Sequence, residues 1–185
     1  ISIRYPLIEL LTGILFGLVA WQYGWSWITL GGLILTAFLI SLTLIDADTQ
    51  YLPDSMTLPL IWLGLLFNFD GDFVSLQSAV SGTVAGYGSL WLLCTVYKLL
   101  TGKIGMGNGD FKLLAALGAW LGISVLPVLV FLAALVGLAM AVIMRISKGQ
   151  YFAFGPALAI SGWIIFAAND SVLRAVNWWL THSGL

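Results

Sequence analysis

Apolar runs of membrane-spanning length recur along this chain, and they constrain its fold more than any other feature. Several approach or exceed 18 residues, close to the roughly 20 that a helix needs to cross a bilayer. Hydrophobic residues make up 61% of the chain and charged residues only 8%, a membrane composition. The expected class is all-α: a polytopic transmembrane helical bundle of about six to seven membrane helices, embedded in the lipid bilayer. The 185 residues suffice for one domain. With no internal repeat or linker, residues 1–185 are read as a single integral-membrane domain. A net charge of −1 gives no nucleic-acid signal.

Single residues narrow the chemistry. Cys94 is the one cysteine and lies in an apolar segment. It reads as a small buried hydrophobe, and disulfide frameworks and cysteine-based zinc sites are excluded for this stretch. His182 is the one histidine, which excludes a multi-histidine metal site. The chain starts at Ile1 and not Met, which suggests a fragment or a processed chain with sequence upstream. The first apolar segment runs into tryptophans and not into a small-residue cleavage site, unlike a signal peptide.

Residues 7–23 are expected to form a first span, with Pro6 in the first turn and Trp21, Tyr23 and Trp25 as an interfacial belt. Residues 27–46 form a second span that ends at Asp46, followed by a polar turn through Ser55. A shorter segment covers 57–68 with Pro59 in its first turn, and 68–72 is a turn. Residues 76–100 make the longest span, in which Gly82, Gly86 and Gly88 permit close helix contact. A short helix over 110–122, a span over 125–146 and a last span over about 157–168 follow, with 171–182 as an interfacial tail. Alternating the segments puts Arg4, Lys98, Lys103, Lys112, Arg145 and Lys148 on one side, six of the seven basic residues. That side is expected to be cytoplasmic. Asp46 and Asp110, which did not enter the assignment, both fall at helix ends on it.

The loop Gly102–Lys112 holds four of the 21 glycines and one of the eight acidic residues. A carboxylate at a membrane edge is costly and reads as functional by default. Gly107-Asn108-Gly109-Asp110 fits the pattern GxGD; its glycines let backbone fold tightly against Asp110 and leave room for another chain to approach. Two carboxylates at one membrane depth can divide acid–base work: one, ionised, takes a proton from water, and the other, protonated, donates to the scissile carbonyl or leaving group. The candidate catalytic pair is Asp46 and Asp110, and no metal is required. The structural alternative for Asp110 is a helix cap. Gly107, Gly109, Lys103, Lys112, Asp48 and Asp54 are candidate substrate-binding or supporting residues. Asp48 and Asp54 also read as solvated turn residues and as rivals to Asp46, and Lys103 and Lys112 as markers of topology or as cations that tune the carboxylates. Glu9 could pair with a cation or face a cavity, and Phe154-Gly155-Pro156 reads as a helix start or a substrate contact. By local sequence, Asp110 begins a helix, can accept from its free N–H groups and has Lys112 nearby, whereas Asp46 ends a helix in apolar surroundings, so charge is favoured on Asp110. On that ground Asp46 is expected to hold the shared proton and Asp110 to activate water.

These residues closely resemble the bacterial prepilin peptidases, the type IV leader peptidases of the GxGD aspartic membrane proteases. The matching blocks are Ile1-Ser2-Ile3-Arg4-Tyr5-Pro6, Leu44-Ile45-Asp46-Ala47-Asp48 with Leu52-Pro53-Asp54, Leu100 through Trp120 including the glycine loop, and Phe154-Gly155-Pro156. The resemblance implies cleavage of basic leader peptides from type IV prepilins and type II secretion pseudopilins at the cytoplasmic face of the bacterial inner membrane. It places the catalytic aspartates at Asp46 and Asp110. It also implies N-methylation of the new N-terminus with S-adenosylmethionine by the parent protein. The family carries an earlier helix and a cytoplasmic domain with paired CxxC motifs that hold zinc, ending where this chain begins. S-adenosylmethionine and zinc are therefore expected only with that region, and peptide cleavage needs no cofactor. A small proton-coupled transporter is the alternative class; it would place its carboxylates near the midplane, often on inverted repeats.

The basic-residue split makes a testable prediction. Single cysteines at 47–56 or 101–109 should be labelled from the cytoplasm, and those at 69–74 from the opposite side. Cytoplasmic labelling of position 72 in intact cells would reverse the orientation.

Overall fold

The computed structural model describes residues 3–102, 106–144 and 153–168. Lys103, Arg145, Lys148 and the tail read as interfacial, with Arg174 and His182, lie outside the described residues. Within them the chain forms seven helices and no strand: α1 (Arg4–Tyr23), α2 (Trp27–Thr49), α3 (Asp54–Phe67), α4 (Leu76–Thr101), α5 (Asn108–Leu121), α6 (Leu126–Ile143) and α7 (Gly155–Ala167). The all-α class is the one the apolar runs imply. Helices α1, α2, α4 and α6 are long and apolar enough to cross a membrane, and α3 and α7 are shorter apolar helices. The chain is thus a multi-pass membrane protein.

Local chemistry sets the helix ends. Ser26 caps α2 by accepting the Thr29 N–H at 3.2 Å, and Ser75 caps α4 through the Ser78 N–H at 3.3 Å. Helix α4 stops at Gly102, whose φ of 71° is left-handed and open to glycine at little cost. Of the boundaries that differ from the sequence expectation, three lie next to the acidic residues. Helix α2 runs past Asp46 to Thr49, so Asp46 lies within its last turn and Asp48 is helical. Helix α3 starts at Asp54, which leaves Pro59 inside the helix and not in its first turn. Pro59 has no N–H to offer the Ser55 carbonyl, and both residues are exposed. Helix α5 starts at Asn108 with Gly107 as its N-cap, so Asp110 is the third helical residue and not the cap.

Helix α5 is the centre of the bundle. Eleven of its 14 residues are buried, against one on α1. It packs most extensively on α4 and α3, with α7 on another flank. Contact with α4 is backbone to backbone. A Cβ on Gly82 would lie 2.5 Å from the Gly118 carbonyl oxygen, and one on Gly118 would run into the Gly82 carbonyl. One turn on, a Cβ on Gly86 would lie 2.7 Å from the Leu114 oxygen. Gly82 and Gly86 therefore serve as close-contact glycines, as the sequence suggested. Gly88 does not, since nothing lies within 4 Å of a Cβ there.

Trp120 anchors the far end of α5. It is fully buried, donates its Nε1–H to the Leu60 carbonyl at 2.9 Å and stacks on Phe67 at 5.3 Å between centroids. Beside it the buried Asn68 donates from Nδ2 to the Ala119 carbonyl at 2.9 Å. Its Oδ1 accepts the N–H groups of Phe73 and Val74. One side chain thereby satisfies the turn between α3 and α4 and the C-terminal end of α5, where free carbonyls need partners.

Gly82→Ala or Gly118→Ala should force α4 and α5 apart and lower stability by about 1–3 kcal/mol, the usual cost of overpacking. Gly88→Ala should stay within about 0.5 kcal/mol or stabilise. Thermal unfolding of the three variants in detergent checks the contrast.

Candidate active site

Most charged residues of the described chain gather at one end of the bundle, while Asp70 and Asp72 lie in the turn between α3 and α4 at the other. The α1 N-terminus, the α2 C-terminus and the N-termini of α3, α5 and α7 meet at the first end, through contacts between residues far apart in sequence. Arg4 of α1 donates from Nη2 to both Asp48 oxygens, at 2.7 and 2.9 Å. Lys112 of α5 donates from Nζ to Asp54 Oδ1 of α3 at 2.6 Å. Asp48 and Asp54, read from sequence as turn residues or rivals, are thus each held by a cation from another helix. Lys112, read as a topology marker or a tuner of the pair, is engaged with Asp54. Glu9 is exposed on α1 and takes part in neither ion pair.

Asp46 and Asp110 differ from those acids. They are 4% and 9% exposed, so both carboxylates are withdrawn from solvent. They line the same cavity, of about 240 Å³. Asp46 comes from the last turn of α2 and Asp110 from the first turn of α5. Gly107, Asn108, Gly109 and the Lys112–Asp54 pair complete the wall on the α5 side, and Gln50, Tyr51 and Leu52 on the α2 side. Lys103, the remaining site candidate, lies outside the described residues.

The chain between α2 and α3 shapes this cavity. Gln50 closes α2 in the left-handed region, at φ 54°, with its N–H on the Asp46 carbonyl at 2.8 Å. The reversal drives Leu52 inward, where it is buried. A Cβ on Gly109 would lie 2.7 Å from Leu52 Cβ. The room left by Gly109 is therefore filled by Leu52 of the same chain, not by another chain. Gly107 is exposed, and a Cβ there would meet only Asp110 Oδ2, at 3.9 Å.

Sequence reasoning missed one contact at the site. Gly155, the first residue of α7, donates its N–H to Asp46 Oδ2 at 3.0 Å. Asp46 therefore does face a helix N-terminus, but one supplied from 109 positions away. Asp46 and Asp110 both sit at such ends, so helix dipoles no longer separate them as local sequence suggested. The one signal of this contact was the block Phe154-Gly155-Pro156, which does start a helix.

Chemically, two buried carboxylates in one polar cavity can share a proton and act as acid and base toward a bound water. No group of three or more His, Cys, Asp or Glu arranged to hold a metal occurs among the described residues. Cys94 is half-buried on α4 and has no second thiol in the chain, so a thiolate zinc site does not fit these residues.

A profile of the type IV leader peptidase family matches residues 33–142, more than half of the chain. A prepilin leader peptidase/N-methyltransferase of Neisseria gonorrhoeae is 84% identical over 182 residues, which cover 98% of this chain and 64% of that protein. Proteins of the same name from Aeromonas hydrophila and Pseudomonas aeruginosa are 52% and 50% identical, over 98% and 92% of this chain. The chain spans 63% and 60% of their respective lengths. No solved structure matches the chain.

The Lys112–Asp54 pair is half open to solvent, with side chains 24% and 53% exposed. A double-mutant cycle with Lys112→Met and Asp54→Asn, read by denaturation, should give a coupling of only about 0.2–1 kcal/mol.

Proposed function

This chain belongs to the type IV leader peptidase family, and we propose that it forms the membrane-embedded peptidase part of a protein that removes leader peptides from type IV prepilins and type II secretion pseudopilins. The observation that carries the reading is the burial of Asp46 and Asp110, from two different helices, in the wall of one cavity. Neither carboxylate is in an ion pair among the described residues. Water held between them would lose a proton to the ionised carboxylate as its oxygen attacks the scissile carbonyl. The protonated partner would donate to the carbonyl oxygen; as the peptide bond breaks, the first carboxyl would give the proton it took to the leaving amine and the second would recover one from the tetrahedral hydroxyl. Asp46 and Asp110 are the catalytic residues in this proposal. Gly107, Gly109, Asp48, Asp54 and Lys112 shape or hold the cavity, and Lys103 precedes it in the loop.

The site would lie at the cytoplasmic face of the bacterial inner membrane, with cleavage after the Gly that precedes the new N-terminal residue, usually Phe. N-methylation of that N-terminus, with S-adenosylmethionine as donor, is proposed for the whole protein. The relatives are named for both activities, and this chain covers 64% of the Neisseria gonorrhoeae protein. The transporter alternative has no support, since both carboxylates lie at one end of the bundle and the matched proteins are named as peptidases.

Asp46→Asn or Asp110→Asn should abolish prepilin cleavage and leave the fold intact, since an amide keeps the shape of the carboxylate. Asp48→Asn should retain most activity, because Asp48 is held by Arg4 at the bundle surface. Gel assay of prepilin processing by the purified variants checks both. Activity in Asp46→Asn with none in Asp48→Asn would move the site to Asp48.

A further inference from the structure

Gly155 opens α7 against Asp46, and its N–H donates to Asp46 Oδ2 at 3.0 Å. As the first helical residue it has no partner for that N–H within α7. Pro156 follows and has no N–H at all, and the Leu158 N–H is already bonded to the Phe154 carbonyl at 3.1 Å. Among the described hydrogen bonds, the Gly155 N–H is the donor that this helix end gives to the carboxylate. The position also has no room for a side chain. A Cβ there would collide with Asp46 Oδ2, and would lie 3.0 Å from Asp46 Cγ and 3.1 Å from Leu52 Cδ1. Gly155 is not in the left-handed region, so the approach of the carboxylate, and not backbone shape, is what excludes a side chain.

We propose that Gly155 is a positioning residue of the proposed peptidase: its N–H pins Oδ2 of Asp46 and leaves Oδ1 to exchange a proton with water. This rests on the peptidase reading above. A freely rotating carboxylate could turn either oxygen to the cavity. A carboxylate with one oxygen held by a backbone donor presents the other in a fixed direction, which is what acid–base chemistry at a bound water requires. Leu52 supports the same arrangement. Its Cδ1 lies against Gly155 and its Cβ against Gly109, so one buried side chain bridges the backbone beside Asp46 and the backbone beside Asp110. The other charged groups at this end include Asp110, the Lys112–Asp54 pair, the Arg4–Asp48 pair and Lys98 in the last turn of α4. Among the described residues, α7 contributes no charged side chain to it.

Two variants and one measurement on the unaltered chain test the proposal. Replacing Gly155 by glycolic acid in cell-free synthesis turns the amide into an ester, which removes the N–H and keeps the shape. Prepilin cleavage should lose about tenfold or more in kcat, with KM within about twofold. Gly155→Ala keeps the N–H but pushes on the carboxylate, and should lower kcat with the same split. Cleavage at the unaltered rate by either folded variant overturns the proposal, and so does a loss confined to KM. Should the variants not fold, NMR of the isotope-labelled unaltered chain decides. The Gly155 amide resonance should titrate with pH, and that titration should vanish in Asp46→Asn. A Gly155 amide that ignores both pH and Asp46→Asn overturns the contact. The NMR arm does not need cleavage, so it reports on the Gly155 contact whether or not the chain cuts prepilin.

Discussion

Because the backbones of α4 and α5 touch at Gly82 and Gly118, a helix of only 14 residues can sit in the middle of the bundle with nearly every side chain buried. A helix so short does not cross a bilayer by itself. It gains from being enclosed, since its apolar surface packs on protein at short range and its C-terminal carbonyls find Asn68. Trp120 fixes its depth from α3, by a hydrogen bond to Leu60 and by stacking on Phe67. With the C-terminal end of α5 held in this way, its N-terminal turn carries Asp110 to the cavity that Asp46 lines from α2. The position of the acid therefore depends on two glycines and a tryptophan farther along the bundle.

Much of this was legible in the sequence because membrane helices announce themselves locally. Apolar length located all seven helices, with ends off by a few residues where a cap or a proline chose the boundary. Asp46 and Asp110 stood out because carboxylates are rare in such a composition, and the glycines around Asp110 marked a crowded turn. What stayed hidden depends on contacts across long sequence separations. That Arg4 would take Asp48, and Lys112 would take Asp54, follows from which helix ends are neighbours, not from either local segment. Gly82, Gly86 and Gly88 look equivalent in the chain, yet Gly88 faces open space. The neighbour of Gly155 could not be read from its own segment at all, because α7 and the end of α2 meet only in the folded bundle.

The distribution of partners at the charged end separates acids that hold the fold from acids left available for chemistry. A carboxylate out of water must gain a cation, hydrogen bonds or a proton. Asp48 and Asp54 gain cations and remain largely exposed, so each ties two helices together at small net energy. Asp46 and Asp110 are the more deeply buried of the four, yet neither is in an ion pair among the described residues. Asp46 has a neutral donor, the Gly155 N–H, which orients the group without adding a full positive charge. A lysine or arginine in that place would hold the carboxylate firmly in its charged form and make proton exchange harder. A backbone amide instead fixes direction and leaves protonation accessible. That combination suits the proposed catalytic pair, which would pass one proton between its members and a water, and it fits the finding that Arg4 and Lys112 pair with the outer acids and not the inner ones.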